Sequence, residues 1–122
     1  MPNEDDSRTE VLRGTLDLLV LRTLVSLGPS HGYTIASRLE EVSEGALVLN
    51  MGTLYPGLMR LEHRGLIEAE WGLTDLNRRA RFYSITPAGR RHLVAEKRSL
   101  DRFVSIIDTL FRQPAWAPKE SG

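Results

Sequence analysis

The apolar positions of this chain fall into blocks whose spacing changes along its length. Between Val11 and Leu27, Leu12, Leu16, Leu19, Val20 and Leu24 recur close to helical spacing, which predicts a helix with one buried face, ended by Gly28-Pro29. A second helix is predicted over HGYTIASRLEEVS, with Ser30 as its cap, Ile35, Leu39 and Val42 inside, and Arg38, Glu40 and Glu41 solvated. After Gly45, Ala46 to Leu49 is a short β-prone run. In the next stretch, Asn50 to Ile67, Leu54, Leu58, Leu61 and, past the turn, Leu66 form one stripe, leaving Thr53, Tyr55, Arg60 and Arg64 to face outward. Gly65 suits the position just past this helix, where positive φ costs least. The start is blurred by Gly52 and Pro56: either Asn50 or Thr53 serves as N-cap, with Pro56 tolerated in a first turn.

The period then drops to two. From Leu66 to Trp71, Ile67, Ala69 and Trp71 alternate with Glu68 and Glu70, as in a half-buried strand. Arg79 to Ile85 is a second extended run with Tyr83 and Ile85 inward, and GLTDLNRR between the two supplies the Gly, Asp and Asn of a hairpin tip. Thr86 as N-cap and Pro87 at the first helical position open a long helix. Its residues Leu93, Leu100, Phe103, Val104, Ile107, Leu110 and Phe111 keep a stripe of near-heptad period until Pro114. The predicted fold is mainly α with a small β-wing: a winged helix-turn-helix domain followed by a C-terminal helix. The boundaries are a disordered arm at 1–10, the winged-helix domain at 11–86, the last helix at 87–112 and a flexible tail at 113–122. A stripe of this size has little left to bury against in so small a domain, so those seven residues are assigned to a homodimer interface.

Composition narrows the function. The chain has 122 residues, 16 basic and 16 acidic side chains and no Cys, which removes disulfides, Cys-ligated zinc and a thiol nucleophile. The charges are unevenly placed: Met1 to Glu70 carries 6 basic and 11 acidic residues, and Trp71 to Gly122 carries 10 and 5. Overall neutrality argues against sequence-blind polyanion binding, yet one basic face suffices for phosphate contacts. The acidic, polar N-terminus is no signal peptide, and LDLLVLRTLV is too short to cross a bilayer and carries Arg22, so a soluble cytoplasmic protein without membrane contact is expected. His31, His63 and His92 lie in separate elements without metal-ligand spacing, and there is no Gly-rich phosphate loop or nucleophile elbow. No catalytic residue, metal or cofactor is therefore assigned. His31 fits the turn before the second helix, and Trp71 either packs on the wing or lines a pocket.

The phrases Gly14-Thr15-Leu16-Asp17, His31-Gly32-Tyr33, Gly52-Thr53-Leu54-Tyr55-Pro56, Arg60-Leu61-Glu62, Gly65-Leu66-Ile67, Asn77-Arg78-Arg79-Ala80 and Tyr83-Ser84-Ile85-Thr86-Pro87-Ala88-Gly89 follow in order. In this the chain resembles the PadR-type transcriptional regulators, in particular the short group with a single C-terminal dimerisation helix. The resemblance implies a homodimeric repressor that binds an inverted repeat of promoter DNA and releases it when an effector or stress signal arrives. Thr53 and Tyr55 are then the groove-reading residues, with Asn50 and Met51 beside them, Arg60 nearer a phosphate and the Tyr33 hydroxyl facing another. For Tyr55 and Tyr33 the competing role is packing of the ring. Asn77, Arg78, Arg79 and Arg81 form a basic wing tip for the minor groove or for phosphates, whereas Arg90, Arg91, Lys97 and Arg98 fit a solvated face. In a dimer of this shape the first and last helices of each subunit would enclose an apolar space at the two-fold axis, lined by Leu and Val of the first and by Leu100, Phe103 and Val104 of the last. The occupant expected there is a small apolar effector or none, because no Trp stands on the last helix to sandwich a flat aromatic. The alternative from a different class is a winged-helix protein–protein module without DNA binding, favoured by the neutral net charge and acidic first half.

Overall fold

The computed structural model describes residues 4–119, with side chains from Gly14 onward. Among them the order is α1 (Glu4–Leu27), α2 (Gly32–Val42), α3 (Met51–His63), β1 (Ile67–Leu73), β2 (Arg79–Ile85) and α4 (Pro87–Arg112). Helix α1 begins inside the stretch anticipated as a disordered arm; Met1 to Asn3 lie outside the described residues. No Gly or Pro interrupts the chain between Asn3 and Arg13, so helical hydrogen bonding propagates upstream from the packed part. Gln113 to Lys119 has no regular structure, and the rest of the expected tail lies outside the described residues.

The core is one cluster gathered from α1, α2, α3 and the hairpin. Val20, Leu21 and Leu24 of α1, Ile35 of α2, Leu54, Leu58 and Leu61 of α3, and Ile67 of β1 are all at most 1% exposed. Each such side chain contributes roughly 1.5–3 kcal/mol of transfer free energy, which makes this cluster the main force that fixes the three-helix arrangement. Thr23, buried in the same region, satisfies its hydroxyl by donating to the Leu19 carbonyl at 2.7 Å. On α2 the inner face is Ile35, Ala36 and Leu39; Val42, anticipated as core, is exposed because the helix outruns its neighbours in its last turn.

Two local features differ from the sequence-based expectation. Ser30 does not cap α2; His31 takes that position, and Ser30 instead forms a bridge with Tyr83, donating its N–H to the Tyr83 carbonyl at 3.0 Å and accepting from the Tyr83 N–H at 2.8 Å. That bridge occupies the free edge of β2. The run Ala46–Leu49 pairs with neither strand among the described residues and crosses as an irregular segment with Leu47 and Leu49 packed on the core.

The antiparallel hairpin runs from Ile67 opposite Ile85 to Leu73 opposite Arg79. Its tip is a tight turn in which Asn77, at φ 60°, donates its N–H to the Thr74 carbonyl at 2.8 Å, a left-handed position that Asn tolerates well. Only the base of the hairpin rests on the core. Trp71, anticipated as inward, is 64% exposed, since the twisted two-stranded ribbon has left the helices behind by that point.

Thr86 joins the hairpin to α4. Its hydroxyl accepts from the Gly89 N–H at 3.0 Å and donates to the Gly65 carbonyl at 2.7 Å, while its own N–H reaches the Leu66 carbonyl at 3.1 Å. Gly89 is buried where a methyl group would overlap the Leu66 carbonyl, so α4 starts in direct contact with backbone. Leu93, anticipated at a dimer interface, packs instead against the chain's own core. Beyond it α4 runs beside α1 as far as Ile106 without being covered, and every residue from Val94 to Arg112 is exposed.

Candidate nucleic-acid interface

Helix α3 presents its start to solvent. Asn50 is the N-cap, its Oδ1 accepting from the Thr53 N–H at 2.9 Å, which leaves the side-chain amide N–H groups pointing away from the helix end. Thr53 is exposed and Met51 is half-buried against the core. Pro56 stands in the second turn rather than the first, so it removes the i+4 donor from the carbonyl of the exposed Gly52. The Tyr55 side chain is packed on one side and open on the other. Its ring lies on Gly32 at the start of α2, where any β-carbon would stand 3.5 Å from the ring and the hydroxyl, and 41% of the residue remains exposed. Tyr33, one residue further along α2, is exposed on the same side.

The wing faces this surface. Arg78 and Arg79 are exposed, with the Arg79 guanidinium 5.2 Å from the centre of the Trp71 ring, a cation–π contact that extends the arginine along the hairpin. Arg81 has a different environment: its Nη2 donates to Glu62 Oε2 of α3 at 2.7 Å, and its guanidinium lies over the Tyr83 ring. That ion pair ties wing to helix. Between the two elements lies a cleft of roughly 720 Å³, lined by His31, Tyr33 and Tyr55 from the helices and by Trp71, Arg78 and Arg79 from the wing. His31 is held there by the edge of the Phe82 ring at 5.4 Å and by Thr34 Oγ1 at 3.1 Å. The structure thus brings Tyr33, Tyr55, Arg78, Arg79 and Arg81 to one concavity, adds His31 and Trp71, and leaves Asn77 to its turn.

Arg60 is placed elsewhere. It points from α3 toward α1, where its Nη2 is 3.6 Å from Asp17 Oδ1, while Arg64 Nη1 is 4.0 Å from Asp17 Oδ2. At those distances the contacts are ion pairs and too long for hydrogen bonds. Asp17 is only 14% exposed, and its Oδ1 has no hydrogen-bond partner among the described residues. Burial pushes its carboxyl above the usual carboxylate range, and the charges of Arg60, Arg64 and His92 recover only part of that shift. The motif Gly14 to Asp17 and the phrase Arg60-Leu61-Glu62 were legible as words; that one carboxylate joins them was not, because the contact spans two helices.

A second depression lies between α1 and α4, roughly 500 Å³, lined by Leu18 of α1 and by Leu100, Phe103 and Ile106 of α4, with Glu96 and Arg102 at its rim. It belongs to the single chain and is separate from the space expected at a dimer's two-fold axis; Val104 does not line it. Ile106 has no counterpart in the near-heptad stripe and was not anticipated.

A sequence profile described as the transcriptional regulator PadR-like family matches residues 20–95. The chain belongs to this family. Transcriptional regulator Rv3488 of Mycobacterium tuberculosis is 42% identical over 68 residues, 56% of this chain and 63% of that one. A transcriptional regulator from Clostridium thermocellum superposes with a TM-score of 0.73 at 28% identity, covering 82% of this chain and 96% of the other. A PadR family transcriptional regulator from Eggerthella lenta does so with 0.72 at 28% identity, over 88% and 92%. The matched region of this PadR-like regulator takes in α3, the wing and the first turns of α4, so every residue of the cleft lies within it. Among the described residues, no helix is long and apolar enough to cross a membrane.

Proposed function

We propose that this PadR-like regulator is a homodimeric repressor that binds an inverted repeat in promoter DNA. The observation that carries this reading is the cleft in which Tyr55 of α3 and Tyr33 of α2 face the arginines of the wing, with the exposed Asn50 and Thr53 at the start of α3 outside its lining. An α-helix with small and hydroxylated side chains at its start enters a major groove, where Thr53, Tyr55 and the outward amide of Asn50 reach base edges. Arg78 and Arg79 then meet the phosphates or the minor groove beside it. Arg81 supports the geometry from Glu62.

The two-fold arrangement rests on α4. Leu100, Phe103, Val104, Ile107, Leu110 and Phe111 are between 38% and 87% exposed in the single chain, an apolar surface that a second copy would cover. Two recognition helices related by a dyad match half-sites about one helical turn apart, roughly 34–36 Å. The depression between α1 and α4 is the place for an effector, and a compound there induces release only if it prefers the dimer arrangement with the wrong helix spacing.

The test is selection of bound duplexes from a random-sequence DNA pool by the purified protein, followed by sequencing. Enrichment of a two-fold symmetric motif is the expected result. Binding with no sequence enrichment, or no binding at low salt, overturns the reading and favours a winged-helix protein–protein module. Titration of the complex with apolar and aromatic compounds, following operator release and Trp fluorescence together, tests the effector site.

A further inference from the structure

The pair Arg60 and Arg64 stands one turn apart on α3, where like charges repel, and Asp17 of α1 places one carboxylate oxygen toward each, at 3.6 and 4.0 Å. We propose that Asp17 is a positioning residue that seats the recognition helix on α1. This rests on the reading of α3 as a DNA-recognition helix. Asp17 touches no DNA in this scheme; it acts through the two arginines.

Apolar packing fixes the arrangement of the two helices as a whole, and an ion pair adds a directional constraint on their fine register. Leu16 faces Gly57, where a β-carbon would stand 3.5 Å from the Leu16 methyl, so α3 presents a smooth surface at the point of closest approach. Apolar burial of Leu54, Leu58 and Leu61 holds α3 in the three-helix arrangement, but it is less directional than an ion pair, so it resists small rolls and slides along the smooth Gly57 contact less sharply. A carboxylate bridging two arginines is directional. Rolling α3 in one direction withdraws Arg60 from Oδ1, and sliding it along its axis withdraws one arginine or the other. The burial of Asp17 sharpens the effect, since the low-polarity surroundings strengthen each ion pair while penalising any position in which the charge loses a partner. Such a carboxylate lowers stability relative to a neutral group of the same shape, so its contribution is to geometry.

The consequence for Arg60 is specific. Its role is to hold Asp17 and not to meet a phosphate, unlike Arg79 on the wing.

The experiment compares wild type with Asp17→Asn, which keeps the shape and removes the charge, and with Arg60→Gln and the double variant. The DNA probe is the duplex that wild type selects from the random pool, with a scrambled duplex as control. The expected result is that Asp17→Asn is at least as stable as wild type at neutral pH, yet binds the selected duplex at least tenfold more weakly. Affinity for scrambled DNA and the slope of log affinity against log salt should stay unchanged, because no phosphate contact is lost. Arg60→Gln should weaken binding to the selected duplex alike with an unchanged salt slope, though at some cost in stability because Asp17 loses its nearer cation, and the double variant should bind no worse than either single one. A merely structural role would move stability and affinity in the same direction in Asp17→Asn. Amide chemical shifts of the free protein give a second readout: with Asp17→Asn, changes should run along α3 from Met51 to His63. Affinity for the selected duplex within twofold of wild type, or shift changes confined to α1, would overturn the proposal. If wild type selects no duplex, the DNA-binding reading fails by itself, and the shifts alone then decide whether Asp17 seats α3.

Discussion

Asn50 shows how much one side chain carries at this surface. Its Oδ1 caps α3 through the Thr53 N–H, and its amide N–H groups are directed outward, so stability and recognition separate by substitution. Asn50→Ala should lower stability by about 1 kcal/mol, the usual cost of a lost N-cap. Asn50→Asp should keep the cap, since a carboxylate accepts the same bond and suits the positive end of the helix dipole, yet weaken DNA binding by placing a negative charge at the groove. Chemical denaturation and gel shift on the same two variants separate these outcomes; equal losses of affinity and stability in Asn50→Asp would count against an outward-facing role. Asp17 makes a pH prediction. Its carboxyl titrates above the usual range because it is buried, so the folded chain holds this proton more tightly than the unfolded chain does. The group's contribution to stability is therefore fully present below the ordinary carboxylate range and is lost as pH rises through the raised value. Asp17→Asn should melt at a higher temperature than wild type at pH 7, and the difference should shrink on acidification toward pH 4; calorimetry at both pH values checks the sign.

At the scale of elements, the wing divides its three arginines by partner. Arg81 is committed to Glu62, while Arg78 and Arg79 reach beyond the helices, with Arg79 braced on Trp71. Arg79→Ala should weaken binding to all sequences about equally and reduce the salt slope by about one for the lost phosphate contact. Tyr55 substitution should instead relax sequence preference, so a salt titration on selected and scrambled duplexes sorts the two. An unchanged slope in Arg79→Ala would move that residue out of the phosphate contacts. The hairpin was legible because alternation from Ile67 and from Arg79 is a local property, and β2 spans the anticipated Arg79–Ile85. The exposure of Trp71 was not, because alternation specifies a face without specifying how far the core beneath it extends.

For the whole molecule the decisive feature is an apolar helix face that the single chain leaves uncovered. Ile107→Asp together with Leu100→Asp should give a monomer that keeps its winged-helix domain and loses specific DNA binding. Burying carboxylates against an apolar partner costs more than a modest interface supplies. Sedimentation that still showed a dimer would exclude α4 as the interface. Leu93 belongs to the other end of this helix, where the near-heptad stripe runs into the domain's own core. A periodic stripe on a sequence does not mark where intramolecular packing stops and the uncovered surface starts.

The amino-acid sequence by itself determined the elements and their order. Helical spacing in α1, α2 and α3, alternation in the hairpin, and the Thr86-Pro87 start of α4 all depend on residues within a turn or two of each other. The stripe Leu54, Leu58, Leu61 and Leu66 was legible for the same reason, and each of its members is buried. Tertiary structure alone decided what depends on distant segments meeting. Ser30 bridges to the edge of β2, Ala46–Leu49 joins no sheet, Arg81 is drawn to Glu62, and Asp17 stands between Arg60 and Arg64. Ion pairs and edge pairings of this kind have no periodic signature along a chain, because their energy depends on a separation in space that only the packed core establishes.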